Sequence, residues 1–249
     1  MIRSNPIHLL AFFLLLSLAA CETRSISNSG YPGYYGGGRN ALYQGELNEL
    51  EVLGFDRTQT VTDEIIQQAF VVREPIVLRR TSPIMLIQSG AMFPDDGMLK
   101  SLDTHYVVGG FSGIPNSAST GRSAGSAASE APYPMALRLV AAKGGYETIV
   151  VYWGILETAQ ENFVTKAVSW VPIVGGIIPD ESQRMRIRLK VAVIDVKSGQ
   201  WDMFEPEPLM DEAISGSYGR IASDQAQVDL LKTNAYKAAV QQIVDRYSA

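Results

Sequence analysis

The feature that most constrains the fold is a regular alternation of polar and apolar residues between Arg184 and Val196. Basic and aliphatic residues take turns along it, with Arg186, Arg188 and Lys190 alternating with Ile187, Leu189, Val191 and Val193. Side chains of a β-strand point alternately to the two faces of its sheet, so this spacing predicts a strand with one wet and one packed face. Asp195 to Gln200 is predicted to turn tightly into a second strand, Trp201–Phe204, which makes a hairpin.

Further apolar runs and periodic segments predict the other elements. Strands are predicted at Ile76–Leu78, Ile84–Ile87, His105–Phe111 and Ile149–Leu156. Helices are predicted around Leu42–Leu53, Thr62–Phe70, Asp95–Leu102 and Met135–Lys143, with a last helix that begins at Ser223 as its cap and ends near Tyr247. Small residues between Ile114 and Pro134 predict a surface loop. This order of elements predicts an α/β fold, a mixed sheet with flanking helices.

The amino terminus predicts an exported protein with a lipid anchor. Arg3 and the apolar run Leu9–Leu16 have the composition of a secretory signal, and the run is too short to span a bilayer comfortably. The signal ends in Leu18-Ala19-Ala20-Cys21, which resembles the lipobox of bacterial lipoproteins. The resemblance implies that residues 1–20 are a signal peptide and that Cys21 receives a diacylglyceryl group and a further acyl chain such as palmitate. The alternative is an ordinary cleaved signal that leaves Cys21 as a free thiol.

Composition divides the mature chain into a tether and a body. Residues 21–40 are rich in Ser, Gly and Tyr and are predicted to be a flexible, lipidated tether, because they offer little apolar surface to bury. Tyr31, Tyr34 and Tyr35 within it also allow a segment that adheres to a sugar or peptide polymer. Residues 41–249 have the length of one domain, and 46% of the chain is hydrophobic, as in ordinary globular proteins. A single α/β domain is therefore predicted for residues 41–249.

Charge and cysteine content narrow the choice of partners and location. The net charge is −5 and no long basic run is present, so a nucleic acid is not an expected partner. Cys21 is the only cysteine, so the chain cannot form an intramolecular disulfide. Glu22 at the second mature position resembles lipoprotein cargo that is released to the outer membrane. The predicted location is the outer membrane, with the body on its periplasmic face.

Two segments resemble parts of a known fold. The apolar run Ile149–Leu156 and the hairpin segment Val191–Trp201 are similar to corresponding parts of the TolB amino-terminal-domain-like fold, over roughly Ile84 to Tyr247. Several outer-membrane lipoproteins share this fold, including the curli-secretion lipoprotein and the activators of penicillin-binding proteins. Gln88-Ser89-Gly90-Ala91 departs from the strand ending of that fold. The resemblance implies an envelope lipoprotein, and in the curli-secretion relative the corresponding part of the fold builds a membrane pore.

Candidate catalytic and metal sites are few. Gly121-Arg122-Ser123-Ala124-Gly125 has the spacing of a nucleophile elbow, but no apolar strand precedes it and the one mature histidine, His105, stands before the serine. One histidine and one lipidated cysteine do not make a usual zinc set. Asp95, Asp96, Asp103 and His105 could collect a hard cation, although Pro94-Asp95-Asp96-Gly97 is also ordinary turn and helix-cap chemistry. No catalysis, metal or cofactor is expected.

The candidate binding segment is as apolar as a core but is expected to be a loop. It runs from Val168 to Pro179, and its prolines and glycines are poor residues for a strand or a helix. Its large apolar side chains are the candidate contacts with a partner or a membrane: Trp170, Val171, Ile173, Val174, Ile177 and Ile178. Burying each of these side chains contributes at most about 1.5 to 3 kcal/mol of favourable free energy. We therefore expect another surface to cover them. The body itself, a protein partner or second subunit, and the bilayer are the three candidate covers.

The predicted function is that of a non-enzymatic, periplasm-facing lipoprotein of the outer membrane. It is expected to contact the membrane through the acyl chains on Cys21, and to bind another envelope protein or a second copy of itself. In this way it would support the assembly or regulation of an envelope machine. One alternative is a ring-forming subunit of a secretion pore, for which only Arg184–Val196 has a partly suitable pattern. Another is a hydrolase that uses Ser123.

Overall fold

Seven strands form one sheet in the computed structural model, which describes residues 25–28, 43–55, 60–71, 74–115, 132–161, 168–172, 182–214 and 220–248. The strands are β1 (Pro83–Gln88), β2 (Val107–Phe111), β3 (Thr148–Glu161), β4 (Val168–Pro172), β5 (Ser182–Asp195), β6 (Trp201–Phe204) and β7 (Leu209–Ile214). Their order is β2-β1-β3-β5-β6, with β4 beside β3 and β7 beside β5. The pairs of β1 with β2 and with β3 are parallel, and the other pairs are antiparallel.

Helices cover both faces of this sheet. The helices packed on the sheet are α1 (Glu49–Val52), α3 (Asp96–Asp103), α4 (Tyr133–Lys143) and α5 (Arg220–Tyr247), whereas α2 (Asp63–Val71) buries no side chain. A short 3-10 turn spans Ile26–Asn28. On one face, Met98 of α3 and Leu231 of α5 share a core with Tyr152 of β3. On the other face, Leu137 of α4 shares a core with Val151. The predicted α/β fold, a mixed sheet with flanking helices, is confirmed.

The two central strands explain the two hydrophobic patterns of the sequence. β3 is apolar without interruption from Ile149 to Trp153 because both of its faces are buried. Among the side chains of β5 that the structure describes, those on the α4 side are partly exposed only at the three basic residues between Arg186 and Lys190, and the strand alternates for this reason. Ala192 and Ile194 continue that face and are buried in the core on the α4 side. The predicted wet face of β5 is therefore short.

Several predicted elements differ from the structure, among them the helix around Leu42–Leu53, of whose described residues only Glu49–Val52 are helical. Ile76–Leu78 is not a strand, because the N–H of Leu78 donates to the carbonyl oxygen of Tyr247 at the end of α5 (2.7 Å) and forms only an isolated bridge with Ser248. Ser223 does not cap the last helix, since α5 already begins at Arg220. The residues before Ser223 are tolerated in a helix and extend it upstream.

The segment Val168–Pro172 is strand β4 and not the loop that its neighbouring prolines and glycines predicted. It pairs antiparallel with the end of β3, with Trp170 opposite Ala159 and Val171 opposite Thr158. The reason is that β3 extends beyond β1 and offers an open backbone edge, which favours pairing with a further segment rich in β-forming residues. Pro172 has no N–H, and it is the last residue of the strand, where its missing donor disturbs the ladder least.

Ser25–Asn28, which are part of the predicted flexible tether of residues 21–40, lie on the domain. Ser25 forms an isolated antiparallel bridge with Ile155 of β3, and Ile26 is only 2% exposed. Ile26 belongs to the core between the sheet, α3 and α5. Ile26 is thus the side chain that joins this polar stretch to the core. Cys21 and residues 29–40 lie outside the described residues.

Candidate functional site

The predicted site residues lie only partly within the described part of the chain. Trp170 and Val171 are in β4, at the end of β3 that extends beyond β1. The other residues singled out in the sequence fall outside it: Cys21, Ser123, Ile173, Val174, Ile177 and Ile178. What covers the apolar segment therefore stays a prediction. Among the helices that the structure describes, none is both long and apolar enough to cross a membrane.

Asp95, one of the candidate cation ligands, forms an ion pair within the fold. It precedes α3, but its carboxylate does not cap that helix. Instead, its Oδ2 accepts hydrogen bonds from the Nζ of Lys232 (2.9 Å) and from the hydroxyl of Tyr236 (2.6 Å). Asp96 pairs with Lys100 at the surface (3.3 Å). Across the described ranges, no group of three His, Cys, Asp or Glu side chains could hold a metal ion.

Gln88, at the carboxyl end of β1, is the centre of a buried hydrogen-bond network. Its side-chain oxygen accepts from the hydroxyl of Tyr152 (2.5 Å) and from the backbone N–H of Asp95 (2.7 Å). Its side-chain nitrogen donates to the hydroxyl of Ser27 (3.0 Å). Buried polar groups destabilise a fold unless they are hydrogen-bonded, so this network holds β1, β3, the start of α3 and the amino-terminal segment in one arrangement. In the sequence, the only sign of it is a polar residue ending an apolar strand.

Tyr152 and Tyr236 make the domain sensitive to alkaline pH. Burial is the main reason why the pKa values of both hydroxyls lie well above the ordinary value of 10.0, since a buried phenolate is poorly solvated. In the unfolded chain both groups ionise near pH 10, whereas in the folded domain they keep their protons. Their contribution to stability is therefore complete below about pH 10 and is lost as the pH rises above it.

We accordingly expect the free energy of unfolding to fall above about pH 10. The measurement is an alkaline titration in which tyrosinate absorbance and helical circular dichroism are followed on the same sample. The tyrosines that ionise at the highest pH should do so together with the loss of the circular dichroism signal. Ionisation of all tyrosines near pH 10 with the fold intact would contradict the expectation.

A groove of about 650 Å³ lies beside the bridge between Ser25 and Ile155, and we call it the charged groove. Its lining comes from the chain around α1 and from two strands: residues 46–50, residues 153–155 of β3, residues 188–190 of β5, and also Glu205, which follows β6. Arg188 and Lys190, two of the side chains of β5 that the alternation predicted to be wet, line this groove. The charged groove is therefore the solvent-facing part of the sheet that α4 does not cover.

The cations of the charged groove are matched by carboxylates. Lys190 Nζ lies 2.9 Å from an oxygen of Glu49, and Arg188 lies 3.0 Å from an oxygen of Glu205. Just beyond the groove on the same strand, Arg186 binds the buried carboxylate of Glu157 (2.5 Å). Matched pairs leave little surplus charge to attract an anion. The charged groove therefore lacks the electrostatics of a phosphate or carboxylate site.

A second groove, of about 1080 Å³, lies between α2 and β6, and we call it the apolar groove. Ile66 and Phe70 of α2 and Trp201 of β6 contribute its large apolar side chains. No side chain of α2 is buried, and Phe70 is 71% and Trp201 47% exposed. Contiguous apolar patches of this kind are rare on soluble monomers unless they contact another molecule. The apolar groove is therefore the better candidate for a binding site.

Side-chain interactions hold the rim of the apolar groove in place. The backbone N–H of Glu74 donates to the side-chain oxygen of Gln200 (2.7 Å), and the hydroxyl of Tyr247 donates to Asp202 (2.8 Å). These bonds hold the side of the groove formed by β6, the chain around Glu74 and the end of α5. Sequence analysis identified the helix but not the groove, because an apolar stripe on a helix usually faces its own core.

The sequence matches a model of the family described as YafT bacterial lipoprotein over residues 48–246. This range contains every helix of the domain and every strand of the sheet, apart from the last residue of α5. No curated protein is similar to the chain at a significant level.

Solved structures with some likeness to the fold share little sequence with the chain. Protein CT253 of Chlamydia trachomatis is 12% identical with a TM-score of 0.33, over 67% of this chain and 97% of that one. A homologue of a neuraminyllactose-binding hemagglutinin from Helicobacter pylori is 13% identical with a TM-score of 0.28, over 70% and 87%. A Caulobacter crescentus protein described as a lipoprotein is 12% identical with a TM-score of 0.24, over 46% and 80%. TM-scores this low support no conclusion about function.

Proposed function

Because this chain belongs to the YafT bacterial lipoprotein family and is thus anchored to a membrane by lipid, we propose that Cys21 carries the anchor. The support is its position, directly after a signal-like run that ends in small residues. Glu22 at the following position favours release to the outer membrane, with the domain on the periplasmic face. Several acyl chains on one terminus give stable anchoring, since each buried CH₂ contributes about 0.8 kcal/mol and one chain alone is marginal.

At this membrane the domain binds another envelope protein and supports the assembly or regulation of the machine to which that protein belongs. The observation that carries this proposal is the apolar groove, with its exposed Phe70 and Trp201. Burying a side chain of this size stabilises a complex by at most about 1.5 to 3 kcal/mol, and aromatic residues dominate the energetics of many interfaces. The groove therefore suits a partner segment with apolar side chains.

The proposal includes no catalytic step. Its support is that carboxylates that could act in catalysis already have partners in the fold: Asp95 pairs with Lys232, and Glu157 with Arg186. The hydrolase alternative depends on Ser123, which lies outside the described residues. The segment with Trp170, Val171, Ile173, Val174, Ile177 and Ile178 stays a second predicted contact with a partner or with the bilayer.

Site-specific photocrosslinking in living cells tests the apolar groove. We expect benzoylphenylalanine in place of Phe70 to yield one defined adduct with an envelope protein, because this side chain lies in the groove and is exposed. The same residue in place of Leu139 is the matched control, since Leu139 is 56% exposed on α4, outside the groove. Adding Trp201→Asp should abolish the adduct from position 70, because a charge in the groove opposes apolar contact.

The mass of the adduct decides between the alternatives. An adduct of twice the chain's own mass would mean that the groove serves self-association and would overturn binding to another protein. Equal adducts from positions 70 and 139, or no adduct from either position, would rule out the apolar groove as the contact with the partner.

A further inference from the structure

Strand pairing along one edge of β3 is interrupted at the place where the amino-terminal segment lies. β3 pairs with β5 over Thr148–Thr158, and its other edge pairs with β1 over Thr148–Tyr152 and with β4 over Glu157–Glu161. Residues 153–156 on that second edge have no partner among the described strands. Ser25 bridges Ile155 inside this gap. The segment after the predicted anchor thus occupies an open stretch of sheet edge, where backbone N–H and C=O groups favour pairing.

Side chains hold the segment in this position. The side chain of Ile26 packs over Gly154, where an added Cβ would lie 2.7 Å from the Cδ1 of Ile26. The hydroxyl of Ser27 donates to the carbonyl oxygen of Ser89 (2.5 Å). The Nζ of Lys232 donates to the carbonyl oxygen of Ile26 (3.1 Å). We call Ser25–Asn28 the clamp, since it joins β3, the end of β1 and α5.

We propose that the clamp holds the domain directly against the membrane. This rests on the proposed lipidation of Cys21. Three residues separate Cys21 from Ser25, and an extended chain spans at most about 3.3–3.6 Å per residue. Ser25 therefore lies at most about 14 Å from the lipidated residue.

A flexible tether would place the domain differently. If the chain were free from Cys21 to Tyr43, its mean end-to-end distance would be roughly 25 Å and its orientation unrestricted. With the clamp in place, residues 28 and 43 both lie on the domain. The number of residues between them then has no influence on the distance between the domain and the bilayer.

Two insertions of equal length distinguish these arrangements. One places six Gly-Ser residues between Thr23 and Arg24, before the clamp, and the other places them between Gly37 and Gly38, after it.

Energy transfer measures the distance between the domain and the bilayer. The donor dye is attached to Lys197→Cys, in the turn between β5 and β6, and the acceptor lipids are in phosphatidylethanolamine and phosphatidylglycerol vesicles. Only the introduced thiol reacts with the dye, because the sulfur of Cys21 is in its lipid bond.

We expect the insertion before the clamp to move the dye away from the bilayer by roughly 5–10 Å, and the insertion after it to leave the distance unchanged. Equal increases from both insertions would overturn the clamp, and so would no increase from either. Ile26→Asp is the second variant. It should place a charge in the core, release the segment and make the insertion after residue 37 increase the distance as well.

Two further measurements on each protein separate this inference from the proposed anchor. Flotation with the vesicles reports whether the protein is anchored, and mass spectrometry reports whether Cys21 carries acyl chains. Loss of both would refute the proposed anchor. Anchored, acylated protein with equal distances for the two insertions would refute the clamp alone.

Discussion

Labelling with radioactive palmitate should fall to background when Cys21 is replaced by Ser. The diacylglyceryl group of a bacterial lipoprotein is attached to the cysteine sulfur, and serine has no thiol to receive it. The change should therefore be all or none, whereas substitutions in the domain should leave the labelling unchanged. The measurement is autoradiography of the immunoprecipitated protein, with Trp201→Asp as the control variant, since Trp201 is exposed on the domain.

The same change should alter where the domain is found. The acyl chains together bury many CH₂ groups at about 0.8 kcal/mol each, so the wild-type protein should stay with the membrane through a high-salt wash. A chain that begins at Glu22 behind an ordinary cleaved signal should be recovered in the soluble periplasmic fraction. Undiminished labelling of Cys21→Ser would contradict the assignment, as would a wild-type thiol that reacts with maleimide.

Replacing Tyr152 by Ala should lower the free energy of unfolding by about 3–5 kcal/mol, the range for large aromatic residues removed from a core. Tyr152 is fully buried in the core with α3 and α5, where its ring makes an edge contact with Tyr236 (5.7 Å between centroids). The change also removes the hydroxyl that donates to Gln88. Because domains of this size are stable by only about 5–15 kcal/mol, much of the stability should be lost.

Tyr152→Phe separates the contribution of the ring to stability from that of the hydroxyl. It keeps the packing but removes one buried hydrogen bond to Gln88, so a loss of about 1–2 kcal/mol is expected. Tyr43→Phe is the matched control, since its hydrogen bond to Glu46 is exposed and its loss should change stability by less than about 0.5 kcal/mol. Urea unfolding of the chain that begins at Glu22 measures all three. Equal losses for Tyr152→Ala and Tyr152→Phe would show that ring packing adds nothing and would contradict the expectation.

Most of the fold could be predicted from the sequence because its signals are local. The alternation in β5, the apolar run in β3 and the turn before Trp201 each depend on residues a few positions apart. The same is true of the signal-like amino terminus, which predicted the family's lipid anchor. Two of the errors fell where an element depends on a distant segment. Leu78 bonds to the end of α5, and β4 pairs with an extension of β3.

The candidate sites were less accessible to sequence analysis than the fold. The apolar segment around Trp170 drew attention because it is apolar over many consecutive residues. The apolar groove did not, because Phe70 and Trp201 are far apart in the chain and each has an ordinary role in its own element. Asp95 was considered as a cation ligand or a helix cap, whereas its partner Lys232 is 137 residues away.

The sequence by itself determined the α/β class and the two-faced character of β5, since side-chain period, turn chemistry and composition act over short distances. Only the tertiary structure decided that Ser25–Asn28 lie on the domain. That outcome depends on the relative lengths of β1, β3 and β4, which leave a gap in one sheet edge, and on Gly154, which leaves room for Ile26. A contact that requires several distant elements to end at particular places leaves no periodic pattern in the chain.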